Sequence, residues 1–138
     1  MSVHSTGGAQ RAWPPTTSAG GLLFVSGQLA LDDDGNLVGP GQWDVQARQC
    51  LRRIERELAA EGSSMGDVVR LNCFLVDAAG YAAYAQARLD LYPSLHAAGT
   101  SVVVAGLLVE GALLEVEATA MRPGSEPVSV GRPPGEVS

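Results

Sequence analysis

The chain has 138 residues, of which 46% are hydrophobic and 17% are charged, and its formal net charge is −6. This length and composition fit a single compact domain. The negative charge argues against sequence-independent binding to nucleic acid, which needs a basic surface. No apolar run reaches the roughly 18 residues needed to cross a bilayer, and the N-terminal segment lacks a basic-then-apolar signal pattern. The sequence therefore predicts a cytoplasmic protein without a membrane partner.

The residue types present exclude several kinds of chemistry. All nine basic residues are arginine, so a lysine Schiff base and a lysine general base are both excluded. No CxxC, HExxH or closely spaced group of His, Asp and Glu occurs, and no metal site is predicted. No Walker loop or GxGxxG motif offers a cradle for nucleotide phosphates. Cys50 and Cys73 fall within apolar helix and strand patterns and are expected to be buried free thiols.

The first predicted element in chain order is a strand at residues 22–31, with the sequence LLFVSGQLAL. Ser26, Gly27 and Gln28 interrupt its apolar run. A glycine inside a strand is typical of a bulge, or of a close approach by another backbone or a ligand. Residues 32–36, DDDGN, have the composition of a tight turn.

A helix over residues 43–61 follows, because apolar residues recur there every three or four positions. The apolar stripe consists of Ala47, Cys50, Leu51, Ile54 and Leu58. The charged residues on its other side are expected to form a solvated surface. A second strand is predicted at 67–77 and a shorter helix at 78–92, which Pro93 closes.

A third strand is predicted at 100–109 and a fourth at 112–121, joined by a tight connection at Glu110 and Gly111. This order of elements predicts an α+β fold, in which a mixed sheet is covered on one face by two helices. A single domain is expected at 1–122. The Pro/Gly/Ser-rich residues 123–138 are expected to form a loose tail.

The last strand raises the question of what its glutamates face. Leu114 and Val116 alternate with Glu115 and Glu117, so one face is apolar and the other carries two carboxylates. The segment 100–109 is apolar on both faces, which implies a partner chain over the sheet face that the helices leave bare. The glutamates are therefore expected in or beside a subunit interface, partly desolvated.

The chain resembles the RidA/YjgF family of reactive-imine deaminases over about residues 10–122. Three segments carry the resemblance in the family's order and spacing: LLFVSGQLALDDDGNLVG, QARQCLRRIERELAAEGSSMGDVVRLNCFLVD and GALLEVEATA. The resemblance implies a chorismate-mutase-like (YjgF-like) fold and a homotrimer with a small-molecule cleft at each subunit interface. It also implies hydrolysis of enamines or imines to keto acids and ammonia, with no cofactor.

The resemblance also implies site residues by position. Glu115 occupies the place of the glutamate that manages the water molecule in the family. Trp13 occupies the place of the aromatic residue that shapes the pocket. Ser26, Gly27 and Gln28 correspond to the segment that lines it.

This chain departs from the family at its substrate-binding arginine, which falls at about Gly99 or Thr100, and neither residue is cationic. An arginine–carboxylate pair is a strong and directional anchor. Its absence predicts a substrate that is neutral, larger or held by other groups, such as an intermediate of a specialised pathway. Thr100 and Ser101 can donate hydrogen bonds to it, and His96 can bind a carboxylate or act as acid or base.

Several interpretations stay open. The first is an enzyme that hydrolyses or cyclises a C=N or enamine intermediate, with Glu115 and His96 as the catalytic candidates. The second is a non-catalytic trimer that binds a small molecule or a protein. The third is a chorismate-mutase-like rearrangement, which is disfavoured because it needs cationic residues around a dianion. Glu115 can also be structural, paired with an arginine such as Arg122 of a neighbour.

Overall fold

A computed structural model describes residues 12–124 and Gly131. Within these residues the chain forms five strands and two α-helices. In chain order they are β1 (Thr16–Ala19), β2 (Leu22–Leu29), α1 (Trp43–Ala60), β3 (Val68–Leu75), α2 (Tyr81–Leu91), β4 (Ala98–Val103) and β5 (Leu114–Met121). In this part of the chain no helix is long and apolar enough to cross a membrane. The predicted tail lies outside the described residues, apart from residues 123, 124 and 131.

The strands form one mixed sheet in the order β1-β2-β5-β3-β4. β5 lies between β2 and β3 and is antiparallel to both, whereas β4 is parallel to β3. The predicted tight connection between strands at 100–109 and 112–121 is therefore wrong. β4 ends at Val103 and residues 104–113 connect it to β5 across the width of β3. The helix α2 supplies the crossover that a parallel pair such as β3 and β4 requires.

Both helices cover one face of the sheet, as predicted. The apolar stripe of α1 is fully buried, and α1 contacts α2 and the strands β2 and β5. Burying one large aliphatic side chain in this way contributes about 1.5–3 kcal/mol. The stripe therefore fixes how the helix lies on the sheet, and it consists of the five predicted residues Ala47, Cys50, Leu51, Ile54 and Leu58.

The other side of the sheet, called the outer face below, is the side that the helices leave uncovered. Along β5, Leu114 and Val116 are buried under the helices, whereas Glu115 and Glu117 alternate with them on the outer face and are half-buried. The pairing of β5 with β3, and of β3 with β4, places six more residues on this face. They are Arg70, Asn72 and Phe74 of β3, Thr119 of β5, and Thr100 and Val102 of β4.

A buried glutamine fixes the chain just before β5. The side chain of Gln46 is fully buried. Its Nε2 donates to the carbonyl oxygens of Gly39 (3.1 Å) and Gly111 (3.2 Å), and its Oε1 accepts from the backbone N–H of Leu113 (2.9 Å). Leu113 lies two residues before Glu115, so these bonds tie the start of the carboxylate-bearing strand to α1.

We expect the substitution Gln46→Leu to lower the free energy of unfolding by about 2–3 kcal/mol, because three backbone groups lose their partner and each such loss costs about 1–3 kcal/mol when the group is buried. Urea unfolding followed by circular dichroism measures this change. Gln86→Leu is the matched control, since Gln86 is exposed on α2 and, among the described residues, its side chain bonds to Asp90 alone. A loss below about 0.5 kcal/mol for Gln46→Leu, the range of ordinary surface substitutions, would contradict the role assigned to Gln46.

Candidate active site

A bulge in β2 brings its backbone close to Glu115. The pairing of β2 with β5 shifts register between Val25 and Gln28, so the glycine in this strand marks a bulge, which is one of the two alternatives that the sequence indicated. A Cβ atom placed on Gly27 would lie 2.7 Å from Oε2 of Glu115. Any side chain at position 27 would therefore force the carboxylate of Glu115 to move, and the structure brings Gly27 and Glu115 together.

The surroundings of Glu115 favour its protonated form more than water does. Its partners on the neighbouring strands are Phe74 on β3 and Leu29 on β2. Partial burial raises the pKa of Glu115 above its usual range, and the negative charge of Glu117 raises this pKa further. A carboxyl group with a raised pKa exchanges protons closer to neutral pH, which suits general acid–base catalysis.

A row of polar side chains crosses three strands beside these glutamates. Nδ2 of Asn72 donates to Oε2 of Glu117 (3.0 Å), and Oδ1 of Asn72 accepts from Nη1 of Arg70 (3.1 Å). The same Nη1 also donates to Oγ1 of Thr100 (3.1 Å). The sequence analysis did not identify Arg70 or Asn72. Their alternation with the buried residues of β3 was the available signal, since it places them on the face of the glutamates.

Ser26 has a defined structural partner. Its hydroxyl donates to the carbonyl oxygen of Pro14 (2.7 Å), and its backbone N–H donates to the carbonyl oxygen of Pro15 (3.0 Å). These two bonds hold the segment before β1 against the bulge. Trp13 lies at the start of that segment and is 77% exposed, so within one chain most of its surface is uncovered.

Two predicted site residues point to the helix side of the sheet. Gln28 is buried, its Nε2 donates to the carbonyl oxygen of Ser26 (3.0 Å), and its Oε1 accepts from Nε of Arg53 (3.2 Å). Ser101 is paired with the buried Cys73 on β3 and so lies on the opposite face from Thr100. The hydrogen bonds of Gln28 therefore stabilise the bulge from the helix side of the sheet. His96 is exposed in the loop between α2 and β4.

Ser101 lines a separate cleft of about 680 Å³ between α2 and β4. The cleft is lined mainly by apolar and aromatic side chains, together with Arg88. None of its lining residues is an aspartate, glutamate, histidine or cysteine. This cleft therefore offers no carboxylate or imidazole for proton transfer, whereas the outer face carries Glu115 and Glu117.

The cysteines do not contribute a nucleophile. Both are free and buried, as predicted. Burial raises the pKa of Cys73 to about 12 and raises the pKa of Cys50 as well. Because the thiolate is the reactive form, these thiols are inert near neutral pH.

Comparison with known proteins gives a consistent result. The sequence profile of the family described as endoribonuclease L-PSP matches residues 7–122. The 3-aminoacrylate deaminase RutC of Acinetobacter baylyi is 35% identical over 106 residues, which cover 77% of this chain and 83% of RutC. The crystal structure of the yeast protein YEO7 has a TM-score of 0.76 at 30% identity, covering 83% of this chain and 90% of that one. The crystal structure of E. coli TdcF with bound serine has a TM-score of 0.74 at 26% identity, covering 83% and 91%.

The profile match spans most of the chain, and the fold of the relatives is the mixed sheet with two helices described above. The YjgF-like fold implied by the sequence is thereby confirmed. The chain belongs to the endoribonuclease L-PSP family, which is the YjgF/RidA family that its sequence resembles.

Proposed function

We propose that the protein is a cofactor-independent hydrolase of imines or enamines, in which Glu115 transfers the protons. The observation that carries this proposal is the half-buried carboxylate of Glu115, held against Gly27 with its pKa raised by burial and by Glu117. Two relatives support the substrate class. RutC is named for 3-aminoacrylate, which is an enamine, and TdcF was crystallised with serine, a small amino acid.

An enamine becomes the iminium R₂C=NH₂⁺ when a proton from the solvent adds to its β-carbon, and the reaction at Glu115 begins from this iminium. Ionised Glu115 takes a proton from a water molecule while the water oxygen bonds to the carbon and the π electrons of C=N move to the nitrogen. Protonated Glu115 then gives this proton to the amino nitrogen of the carbinolamine. The C–N bond breaks as the hydroxyl group becomes the ketone, and the hydroxyl proton leaves with ammonia as NH₄⁺.

Glu117 supports this chemistry through its charge. It is held by Asn72 at 3.0 Å, and its negative charge raises the pKa of Glu115. The same charge favours the cationic iminium over the neutral enamine, since opposite charges at close range stabilise each other. A cyclisation of an enamine in a specialised pathway would use the same proton transfer by Glu115. A protein that binds a small molecule without converting it would need only the row of polar side chains formed by Thr100, Arg70, Asn72 and Glu117.

The family description raises endoribonuclease activity as a second function. RNA carries a negative charge on every phosphate, and proteins that bind it present a basic surface. This chain has a net charge of −6, and its outer face presents Glu115 and Glu117 beside a single described arginine, Arg70. These charges favour a small cationic intermediate over RNA.

The proposed enzyme is a homotrimer in which a neighbouring copy closes the cleft over Glu115. The support is the composition of the outer face, where Phe24 and Val102 are exposed large apolar residues and Phe74 is half-buried. Apolar side chains clustered on an uncovered sheet face are typical of an interface. Trp13 as a cleft wall and His96 as an acid or base remain predictions that depend on this neighbour.

We expect sedimentation equilibrium to give about three times the chain mass of 14.3 kDa. The substitution Val102→Glu should shift the particle toward the single-chain mass, because a charge would be buried at the interface without a partner. Leu108→Glu is the control, since Leu108 is fully exposed in the loop that precedes β5. A wild-type particle of 14.3 kDa would contradict the trimer.

We expect Glu115→Gln to lower the rate of 2-aminoacrylate hydrolysis by about 10²–10⁴-fold, the usual contribution of general acid–base catalysis. The assay generates 2-aminoacrylate from serine with a dehydratase in the presence of semicarbazide. It measures how far the protein increases ammonia release and decreases the formation of the semicarbazone. Glu110→Gln, which changes an exposed carboxylate in the loop before β5, should keep full activity. A wild-type protein without any rate enhancement would favour the binding module over the enzyme.

The pH dependence of activity gives an independent test of Glu115. Glu115 must be ionised to activate water, so kcat/KM should fall as the pH drops through its raised pKa. The charge of Glu117 raises that pKa, and Glu117→Gln removes the charge. The acidic limb of the profile should therefore move to lower pH in Glu117→Gln. An unchanged limb, or a limb moved to higher pH, would exclude Glu115 as the group that titrates.

A further inference from the structure

We propose that Arg70 binds the carboxylate of the substrate from β3, which makes the substrate a small monocarboxylic enamine or imine. This inference rests on the proposed function, since it assigns the substrate class of that site. It also replaces the expectation that the substrate lacks an arginine partner, which was drawn from the uncharged residues Gly99 and Thr100. The strand position expected to carry an arginine lacks one, but the guanidinium of Arg70 lies 3.1 Å from Oγ1 of Thr100.

Among the arginines in the part of the chain that the structure describes, Arg70 is the one that lies on the outer face. Its side chain contacts Asn72 and Thr100 there. Arg88 belongs to α2 and bonds to the loop at Leu95, and Arg122 follows β5 and bonds to Gly20. The other described arginines lie on α1, on the helix side of the sheet: Arg48, Arg52, Arg53 and Arg56.

The guanidinium of Arg70 is held in place by only one of its nitrogens. Both hydrogen atoms of Nη1 are used, one toward Oδ1 of Asn72 and one toward Oγ1 of Thr100, each at 3.1 Å. Within the part of the chain that the structure describes, Nε and Nη2 have no acceptor. These two nitrogens form the edge of the guanidinium that matches the two oxygens of a carboxylate, so the edge that would bind a ligand is oriented in advance.

The positive charge of Arg70 is also not neutralised. Among the described residues no carboxylate lies within 4 Å of it, whereas Arg48 pairs with Asp90 and Arg56 with Asp33. Asn72 lies between Arg70 and the carboxylate of Glu117 and bonds to both. A neutral amide in this place keeps the cation and the anion of the row apart.

The separation between the positive charge of Arg70 and the negative charges of Glu115 and Glu117 determines which ligand fits the outer face. A carboxylate bound at Arg70, over β3 and β4, directs the rest of a small molecule toward β5, where the two glutamates favour a cationic nitrogen. A substrate with one carboxylate and one iminium group matches both ends of the row. A second carboxylate would lie toward Glu115 and Glu117 and be repelled, so dicarboxylic substrates are disfavoured.

The test measures carboxylate binding without relying on turnover. Pyruvate, the keto acid formed from 2-aminoacrylate, is titrated into ¹⁵N-labelled protein, and dissociation constants are taken from the shifts of amide signals and of the arginine Nε–H signals. Methyl pyruvate, which lacks the negative charge, is the matched ligand. Arg52→Gln, an exposed arginine of α1 on the helix side, is the matched control variant. Circular dichroism and sedimentation show whether each variant keeps its fold and assembly.

We expect Arg70→Gln to weaken pyruvate binding about tenfold or more, because the carboxylate loses its hydrogen bonds to a charged group. Methyl pyruvate should bind alike to wild type and Arg70→Gln, and Arg52→Gln should bind pyruvate like wild type. Adding Thr100→Arg to Arg70→Gln should restore pyruvate binding, because it returns a guanidinium to the same place from β4.

The assignment is overturned if wild type shows no pyruvate binding, if Arg70→Gln binds pyruvate unchanged, or if Arg70→Gln weakens pyruvate and methyl pyruvate equally. The proposed function fails separately. A wild-type protein that binds pyruvate through Arg70 but does not hydrolyse 2-aminoacrylate would refute the hydrolase and keep the carboxylate site. A protein that hydrolyses 2-aminoacrylate while Arg70→Gln leaves both KM and pyruvate binding unchanged would keep the hydrolase and refute the role of Arg70.

Discussion

The register of β5 is the constraint on which the rest of the structure depends. Leu114 and Val116 are fully buried beneath the helices, and together they contribute about 3–6 kcal/mol. Because side chains alternate strictly along a strand, a slip of one residue would expose both and bury Glu115 and Glu117 instead. Burying unpaired carboxylates costs several kcal/mol more. The packing of the core thus fixes the glutamates on the outer face.

The elements that depend on local periodicity could be predicted from the sequence, and those that depend on pairing could not. The stripe of α1 and the alternation of β5 were both predicted. Residues 104–109 are as apolar as a strand but form part of the connection from β4 to β5, which crosses β3 so that β5 pairs between β2 and β3.

The same distinction explains which site residues the sequence analysis identified. Gly27 and Glu115 were identified by local strand patterns together with the family resemblance, and the bulge brings them into contact. Gln28 lies on the helix side because the bulge shifts the register of β2 after Val25. Arg70 was missed because its importance comes from a neighbour 30 residues later in the chain, Thr100, and that proximity exists only once β3 and β4 are paired.

An anion-binding site is defined by the position of its guanidinium rather than by the strand that carries the arginine. In a parallel pair the neighbouring strands are about 4.8 Å apart, and an arginine side chain is long enough to reach over the adjacent strand. Arg70 starts from β3, opposite Ala98, and ends beside Thr100 on β4. The residue paired with Arg70 on β4 is the small Ala98. Loss of a cation at position 100 therefore does not remove the cation from the outer face, provided that Asn72 keeps it apart from Glu117.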